Sequence, residues 1–250
     1  MEMMTGQEQA PQVEARKTPL WEDVIDVFVS PAALFRRRAQ DGWVKPWLVL
    51  SVVFVALALV FLGPNHELSL ATTREMFARA GKEIPAAAQG GGTTGQIISS
   101  IFQPVVLLIG ILLGALFLWV AAAVAQGGPR FKQAMMIMAW ASFPALLQKV
   151  LQGVLVLLKV NSGAELSPFR DASTGLLRFI DPASLPLPVL SALGLVDVFV
   201  FWEMILWIVA LKAICHYSTG KATAVGFATW LLMLLPVMGM GLLGQMAMGG

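Results

Sequence analysis

The stretch from Ile97 to Ala125, IISSIFQPVVLLIGILLGALFLWVAAAVA, contains no charged side chain and decides the fold class. A helix of about 20 apolar residues is long enough to cross the hydrocarbon core of a bilayer. Because backbone polar groups in lipid must bond to one another, a lone uncharged stretch of this length is expected to be a helix. Pro104 is expected to mark the turn at which this helix begins.

Four further apolar stretches are expected to be membrane helices for the same reason. Together with the stretch quoted above they give spans at about 47–63, 100–125, 134–158, 190–211 and 222–246. The first span is the shortest, because 17 residues make a helix of only about 25 Å. Pro144 inside the third span predicts a kink or a local break. We therefore predict an all-α, polytopic integral membrane protein with five transmembrane helices.

The composition of the 250-residue chain supports this class. Hydrophobic residues make up 57% of the chain and charged residues 13%, against roughly 45–50% and roughly 25% in soluble domains. One cysteine and two histidines allow no intrachain disulfide and no structural zinc site. The net charge of +2 is too small to indicate nucleic-acid binding. We expect no metal, no cofactor and no nucleic-acid partner.

The chain before the first span divides into two parts. Residues 1–19 are polar and are predicted to be a disordered tail. Residues 20–46 are predicted to form a cytoplasmic segment of amphipathic helices, since Leu20, Trp21, Val24, Ile25 and Phe28 recur at helical spacing. Ser30 followed by Pro31 is typical of a helix start. The membrane domain then comprises residues 47–250.

Two interpretations of the segment 20–46 stay open. Its helices could be soluble and packed on each other. The preferred interpretation lays them along the membrane surface, with the arginines of 36–38 near anionic headgroups and four aromatic side chains in the interface, namely Trp21, Phe28, Phe35 and Trp43.

The distribution of Lys and Arg predicts the topology. The N-terminal segment and the short loops at 126–133 and 212–221 carry most of these residues, and the two longer loops carry fewer. By the positive-inside rule the N-terminus lies in the cytoplasm and, after five crossings, the C-terminus lies outside. Short loops without trafficking signals favour a bacterial inner (plasma) membrane.

Several short motifs then resemble a known family. They are Trp21, Val27-Phe28-x-Ser30-Pro31-x-x-x-Phe35, Trp43-x-x-Pro46, Ala139-Trp-Ala-Ser-Phe-Pro144, Leu195-Val-Asp197-Val-Phe199-x-x-Trp202 and Gly220-Lys221-Ala222. Together, and in this order, they resemble the bacterial branch of the Yip family, relatives of the Ypt/Rab-GTPase-interacting membrane proteins. The resemblance covers about residues 21–246 and implies a five-span membrane fold.

Ionisable side chains inside spans are costly and are therefore functional candidates. Lys149 in the third span and Glu203 in the fourth fall at similar depths, so we predict that they pair across the bundle. Ser142, Gln148 and Gln152 are expected to complete this polar seam on the helix of Lys149. The pair could fix helix register or line a proton or solute path, and Lys149 could instead snorkel to the surface. Asp197 is expected to cap the fourth span.

These observations lead to two hypotheses on function. The first is a non-enzymatic membrane scaffold that recruits an unknown protein partner through its aromatic and basic cytoplasmic face. The alternative is a small transporter or lipid-handling protein that uses the Lys149/Glu203 seam. No catalytic motif of the metalloprotease or phosphate-loop kind occurs in the sequence, so an enzyme is not expected. The pair Gly110 and Gly114 permits either tight helix packing within the chain or a homo-oligomer.

Overall fold

The computed structural model describes residues 18–85 and 92–247. Most of the tail predicted for residues 1–19 therefore lies outside the described residues. Two short 3-10 segments occupy Leu176–Phe179 and Pro182–Ser184. The helices of the described ranges are α1 Leu20–Val29, α2 Pro31–Arg38, α3 Val44–Val60, α4 Leu62–Arg79, α5 Thr93–Val124, α6 Phe131–Ala141, α7 Pro144–Asn161, α8 Pro168–Asp171, α9 Leu187–Leu193, α10 Val198–Cys215 and α11 Thr219–Ala247.

The described residues contain helices but no strand, and several helices can cross a membrane. Long apolar helices or helix pairs are α5, α6 with α7, α10 and α11. A fifth candidate is the α3–α4 pair, which bends by 80° at Phe61. The predicted all-α polytopic membrane fold is confirmed.

The third span is broken where the sequence predicted. Ser142 and Phe143 separate α6 from α7, and Pro144 is the first residue of α7. Proline has no backbone N–H and is tolerated in the first turn of a helix. The break therefore follows from the position of Pro144.

The start of the second span differs from the prediction. α5 begins at Thr93, and Pro104 lies inside the helix instead of at its entry. The hydroxyls of Ser99 and Ser100 donate to carbonyls four residues earlier in the same helix. These local bonds satisfy the side-chain donors inside the helix.

Two further boundaries differ from the expected ones. The stretch predicted at 190–211 is split, because Asp197 caps a helix that starts at Val198 and ends at Cys215. The chain after Gly63, expected to be a connecting loop, forms α4.

The N-terminal helices belong to the core of the bundle. α2 packs along α10, and Val27, Leu34 and Phe35 are completely buried. They share one apolar cluster with residues of α6 and α10 that include Trp140 and Trp207. The prediction that the ring of Phe35 lies in the membrane interface is therefore wrong, because α10 covers the inner face of α2.

Hydrogen bonds tie the loops together at the two ends of the bundle. At one end, Gln133 donates to the carbonyl of Ala39, and Lys221 donates to the carbonyl of Gln126. We call this end, with the residues 36–45, 126–133 and 212–221, the basic end. At the opposite end, Arg79 donates to the carbonyls of Pro182 and Leu185. We call this the distal end.

Candidate functional site

The hairpin of α1 and α2 is held closed around one buried acid. Asp23 has no exposed surface and accepts hydrogen bonds from two arginines of α2. Arg38 reaches Asp23 Oδ2 through Nε at 3.0 Å and through Nη2 at 2.6 Å. Arg37 Nη2 reaches Asp23 Oδ1 and also Asp26 Oδ2, the latter at 2.6 Å. Both oxygens of the buried carboxylate are thus paired, which the burial of a charge requires.

Arg38 also connects the hairpin to the residues on either side of it. Its Nη1 donates to Asp41 Oδ2 at 2.7 Å, and its Nη2 donates to the carbonyl of Thr18 at 2.8 Å. The hydrogen bond to Asp23 raises the pKa of Arg38 above its ordinary value, although burial acts in the opposite direction. Since this guanidinium stays charged, it keeps the hairpin of α1 and α2 closed.

Sequence reasoning missed the role of Asp23. The structure turns Asp23 toward α2, where Arg37 and Arg38 bind it. The sequence did contain one indication of this pairing. The arginines at 36–38 follow Asp23 closely enough to face it across a hairpin of two short helices. Arg37 and Arg38 are paired with acids of their own segment, and the placement of the arginines near anionic headgroups stays a prediction.

The opposite face of α1 presents an apolar stripe. Trp21 and Val29 are 63% and 69% exposed, and Ile25 lies between them at helical spacing. Phe28 points the other way and packs edge-on against Trp202 of α10, with ring centroids 5.6 Å apart. Only part of the predicted aromatic face is therefore exposed.

The other motif residues of this segment shape its turns. Ser30 occupies the N-cap position of α2, but its side chain makes no capping hydrogen bond, and Pro31 is the first helical residue. Trp43 packs edge-on against Trp47 at 6.0 Å, and Pro46 is buried in the first turn of α3. These residues determine the course of the chain between α1 and α3.

The basic end exposes several cations that have no acidic partner among the described residues. They are Arg36, Lys45, Arg130, Lys132 and Lys212. Lys221, a motif residue, is instead held over the ring of Tyr217 at 4.2 Å and bonded to the carbonyl of Gln126 at 3.0 Å. The loops that carry the exposed cations are therefore joined to one another.

At the start of α10, Asp197 acts as the predicted cap. Its Oδ1 accepts from the backbone N–H of Phe199 at 2.8 Å. Its Oδ2 accepts from the hydroxyl of Thr174, which in turn accepts from Gln148 Nε2 at 3.2 Å. Asp197 thus links the helix start to a distal loop and to α7. Phe199 stacks on Trp202 at 6.5 Å.

The predicted seam of polar residues is not formed. No ion pair joins Lys149 to Glu203 among the described residues, because the lysine lies against α4 and α5 whereas Glu203 lies on α10. Ser142 donates to its own helix at Met138. Gln148 bonds to Thr174, and Gln152 is half-buried on the same helix. The five predicted residues therefore do not form one site.

Lys149 lines an open pocket of about 370 Å³, of mixed polar and apolar lining, at the bend between α3 and α4. The lining comes from four helices, and its polar side chains include Asn65, Thr72, Ser99 and Gln103. Sequence reasoning did not find this pocket, because it treated the residues of α4 as a loop.

No group of three His, Cys, Asp or Glu side chains in the described part of the chain could hold a metal ion. Compared with known proteins, the chain matches the family model described as the Yip1 domain over residues 25–240. No curated protein and no solved structure matches it. The motif residues from Phe28 to Lys221 fall inside the matched range, and Trp21 lies just before it.

Proposed function

This chain belongs to the Yip1 domain family, and on that basis we propose that it is a non-enzymatic membrane scaffold that recruits a protein partner at its basic end. The positive-inside rule favours placing this end in the cytoplasm, and we propose a bacterial inner membrane as the host. The partner that fits this surface is an acidic, amphipathic protein segment.

One observation carries the proposal, namely the set of exposed cations on connected loops. Arg36, Lys45 and Lys132 have no acidic partner among the described residues, whereas Arg37 and Arg38 are paired. Because, in the described part of the chain, Arg37 and Arg38 are paired and Arg36 is not, a defined positive surface remains for the acidic side chains of a partner protein. Such complementarity contributes specificity and association rate more than raw affinity.

The apolar stripe of α1 is suited to anchor the basic end at the membrane. Trp21, Ile25 and Val29 suit the boundary between headgroups and acyl chains, where aromatic and aliphatic side chains anchor amphipathic helices. A stripe anchored there would hold the hairpin at the membrane and leave Arg36 facing the cytoplasm. The surface would then combine lipid anchoring with protein recruitment.

The experiment compares two variants that each remove two positive charges. Arg36→Gln with Lys132→Gln weakens the basic end, and Lys82→Gln with Arg178→Gln changes exposed residues of the distal end. Each full chain is expressed in bacterial membranes with a photoreactive residue in place of Gln40, an exposed neutral residue of the basic end, and the cross-linked products are analysed. We expect a discrete protein adduct that the basic-end variant reduces at least tenfold and the distal variant leaves unchanged.

Two outcomes would contradict the proposal. One is equal cross-linking of the same protein in both variants, and the other is cross-linking to lipid alone. A C-terminal reporter checks that neither variant changes the topology, since removal of positive charge can reorient a membrane protein.

The alternative hypothesis, a transporter or lipid-handling protein built on a Lys149/Glu203 seam, depended on a contact between these two residues. The contact is absent from the ion pairs of the described residues. The scaffold is therefore the function that the geometry supports better.

A further inference from the structure

The pocket around Lys149 has the composition of an anion site. Lys149 is the charged residue of its lining, and the remaining polar groups are hydroxyls and amides, among them Asn65, Thr72, Ser100 and Gln103. No acid of the described residues pairs with Lys149. A cation held beside neutral donors and without a carboxylate favours an anionic ligand.

The hydroxyls can turn toward such a ligand without leaving a carbonyl unpaired. Thr72 and Ser100 each donate to a carbonyl four residues earlier in their own helix, at 2.7 and 2.8 Å. Those carbonyls lie within helices, where backbone N–H groups also bond to them. A hydroxyl proton rotates freely, so it can leave a shared carbonyl for the stronger acceptor of a charged oxygen.

Helix lengths place the pocket near the distal edge of the hydrocarbon layer. Gln103 lies 21 residues before the last residue of α5, Val124, a rise of about 31 Å. Lys149 lies 18 residues after Phe131, the first residue of α6, a rise of about 27 Å. The hydrocarbon core is about 30 Å thick, so with Val124 and Phe131 placed at its edge on the basic end, both residues lie close to its distal edge.

The surface beside the pocket suits acyl chains. Ile98, Ile101, Phe102 and Val105 on α5 are exposed, and they flank the polar residues Ser99, Ser100 and Gln103. A lipid could place its phosphate in the pocket and its chains along this face of α5. A free phosphate in water would gain nothing from these apolar side chains.

We propose that this pocket binds the phosphate group of an anionic phospholipid of the distal leaflet, with Lys149 as its cation. The site is separate from the recruiting surface, which lies at the other end of the bundle, so either proposal can fail while the other holds.

The test uses the full chain in nanodiscs that contain one part phosphatidylglycerol to four parts phosphatidylcholine. The protein is released into detergent, and retained lipid is counted by native mass spectrometry. We expect selective retention of phosphatidylglycerol, reduced at least tenfold by Lys149→Met and largely restored by Lys149→Arg. Lys82→Met is the matched control, because it removes an exposed positive charge near the same end, and it should retain the lipid.

The same preparation in detergent with inorganic phosphate alone separates lipid from soluble anion. Equal lipid retention by the wild type and Lys149→Met would overturn the proposal. So would binding of inorganic phosphate that depends on Lys149 and displaces the lipid. Methionine preserves much of the lysine stem, so thermal unfolding of Lys149→Met should match that of the wild type. A variant that unfolds is replaced by Lys149→Gln in the same comparison.

Discussion

At the scale of single residues, Asp23 shows why a buried charge needs its partners. Removing one member of a fully buried ion pair costs about 3–5 kcal/mol. Here Arg37 and Arg38 keep 30% and 18% of their side-chain surface exposed, so water compensates part of that loss. We expect Asp23→Asn to lower the free energy of unfolding by about 2 kcal/mol. Thermal unfolding in detergent measures this change.

Asp26 supplies the control for Asp23. It lies on the same helix, is 24% exposed and bonds to Arg37 but not to Arg38. Exposed pairs contribute less than about 1 kcal/mol, so Asp26→Asn should unfold close to the wild-type temperature. Equal destabilisation by the two variants would mean that the burial of Asp23 does not increase its contribution to the free energy of unfolding.

Tyr217 gives a pH-dependent prediction, and it can be observed directly because it is the single tyrosine of the chain. Burial, with a smaller effect of Cys215, raises the pKa of this phenol above 10.0. The folded state therefore holds the proton more tightly than the unfolded state. The resulting stability is complete below the unfolded pKa of 10.0 and is lost as the pH rises through the folded value.

We expect the ultraviolet absorbance of tyrosinate to appear at higher pH in the folded protein than after denaturation. Tyr217→Phe should lose less stability than the wild type as the pH rises from 9 to 11, a range around the ordinary tyrosine value of about 10. If Tyr217 titrated at the same pH before and after unfolding, the inferred effect of burial on its pKa would be wrong.

At the scale of elements, the ring of Phe61, at the bend between α3 and α4, lies close against Gly153 of α7. A Cβ added at Gly153 would lie 2.6 Å from atoms of the Phe61 ring, far inside van der Waals distance. We expect Gly153→Ala to destabilise the protein by about 1–3 kcal/mol through overpacking. The same change in a Phe61→Ala background should cost much less, and thermal unfolding of the four proteins gives the coupling.

Gly110 is the control, since an added Cβ there meets no atom within 4 Å. Alanine is the better helix former by up to about 1 kcal/mol, so Gly110→Ala should be neutral or stabilising. Gly114, its partner in the predicted motif, lies close to Met138 and Met233 of the same chain. This contact favours packing within the chain at Gly114.

The elements also show what a sequence can and cannot predict. Apolar length predicted the membrane helices, and Pro144 predicted the break before α7, because both are local effects. The helix α4 was missed, since its residues look like a loop until α7 and α8 pack against it, and the polar start of α5 was missed because Pro104 indicated a helix entry. The burial of Asp23 and the pocket of Lys149 arise from contacts between distant helices, which no local pattern specifies.

At the scale of the whole molecule, the contacts fix which loops share an end but not which side of the membrane each end faces. Arg79 of α4, Leu185 and Gln245 of α11 line one common pocket. The end of α4 and the end of α11 therefore lie together, away from Ala39 and Gln133. If α3 crosses the bilayer, position 82 and position 245 are on the side opposite to position 45. The basic end then faces either the cytoplasm, with positions 82 and 245 outside, or the outside, with positions 82 and 245 in the cytoplasm.

Single cysteines distinguish these two topologies. In a Cys215→Ser background, which removes the one native thiol, the variants Lys45→Cys, Lys132→Cys, Lys82→Cys and Gln245→Cys are treated with an impermeant maleimide on intact cells. Five crossings with a cytoplasmic basic end predict labelling at 82 and 245, and labelling at 45 and 132 only after permeabilisation. Protection of 245 together with 45 would mean an even number of crossings. The short helix α3 would then not span the bilayer, and the Lys149 pocket would have to be assigned to a different depth.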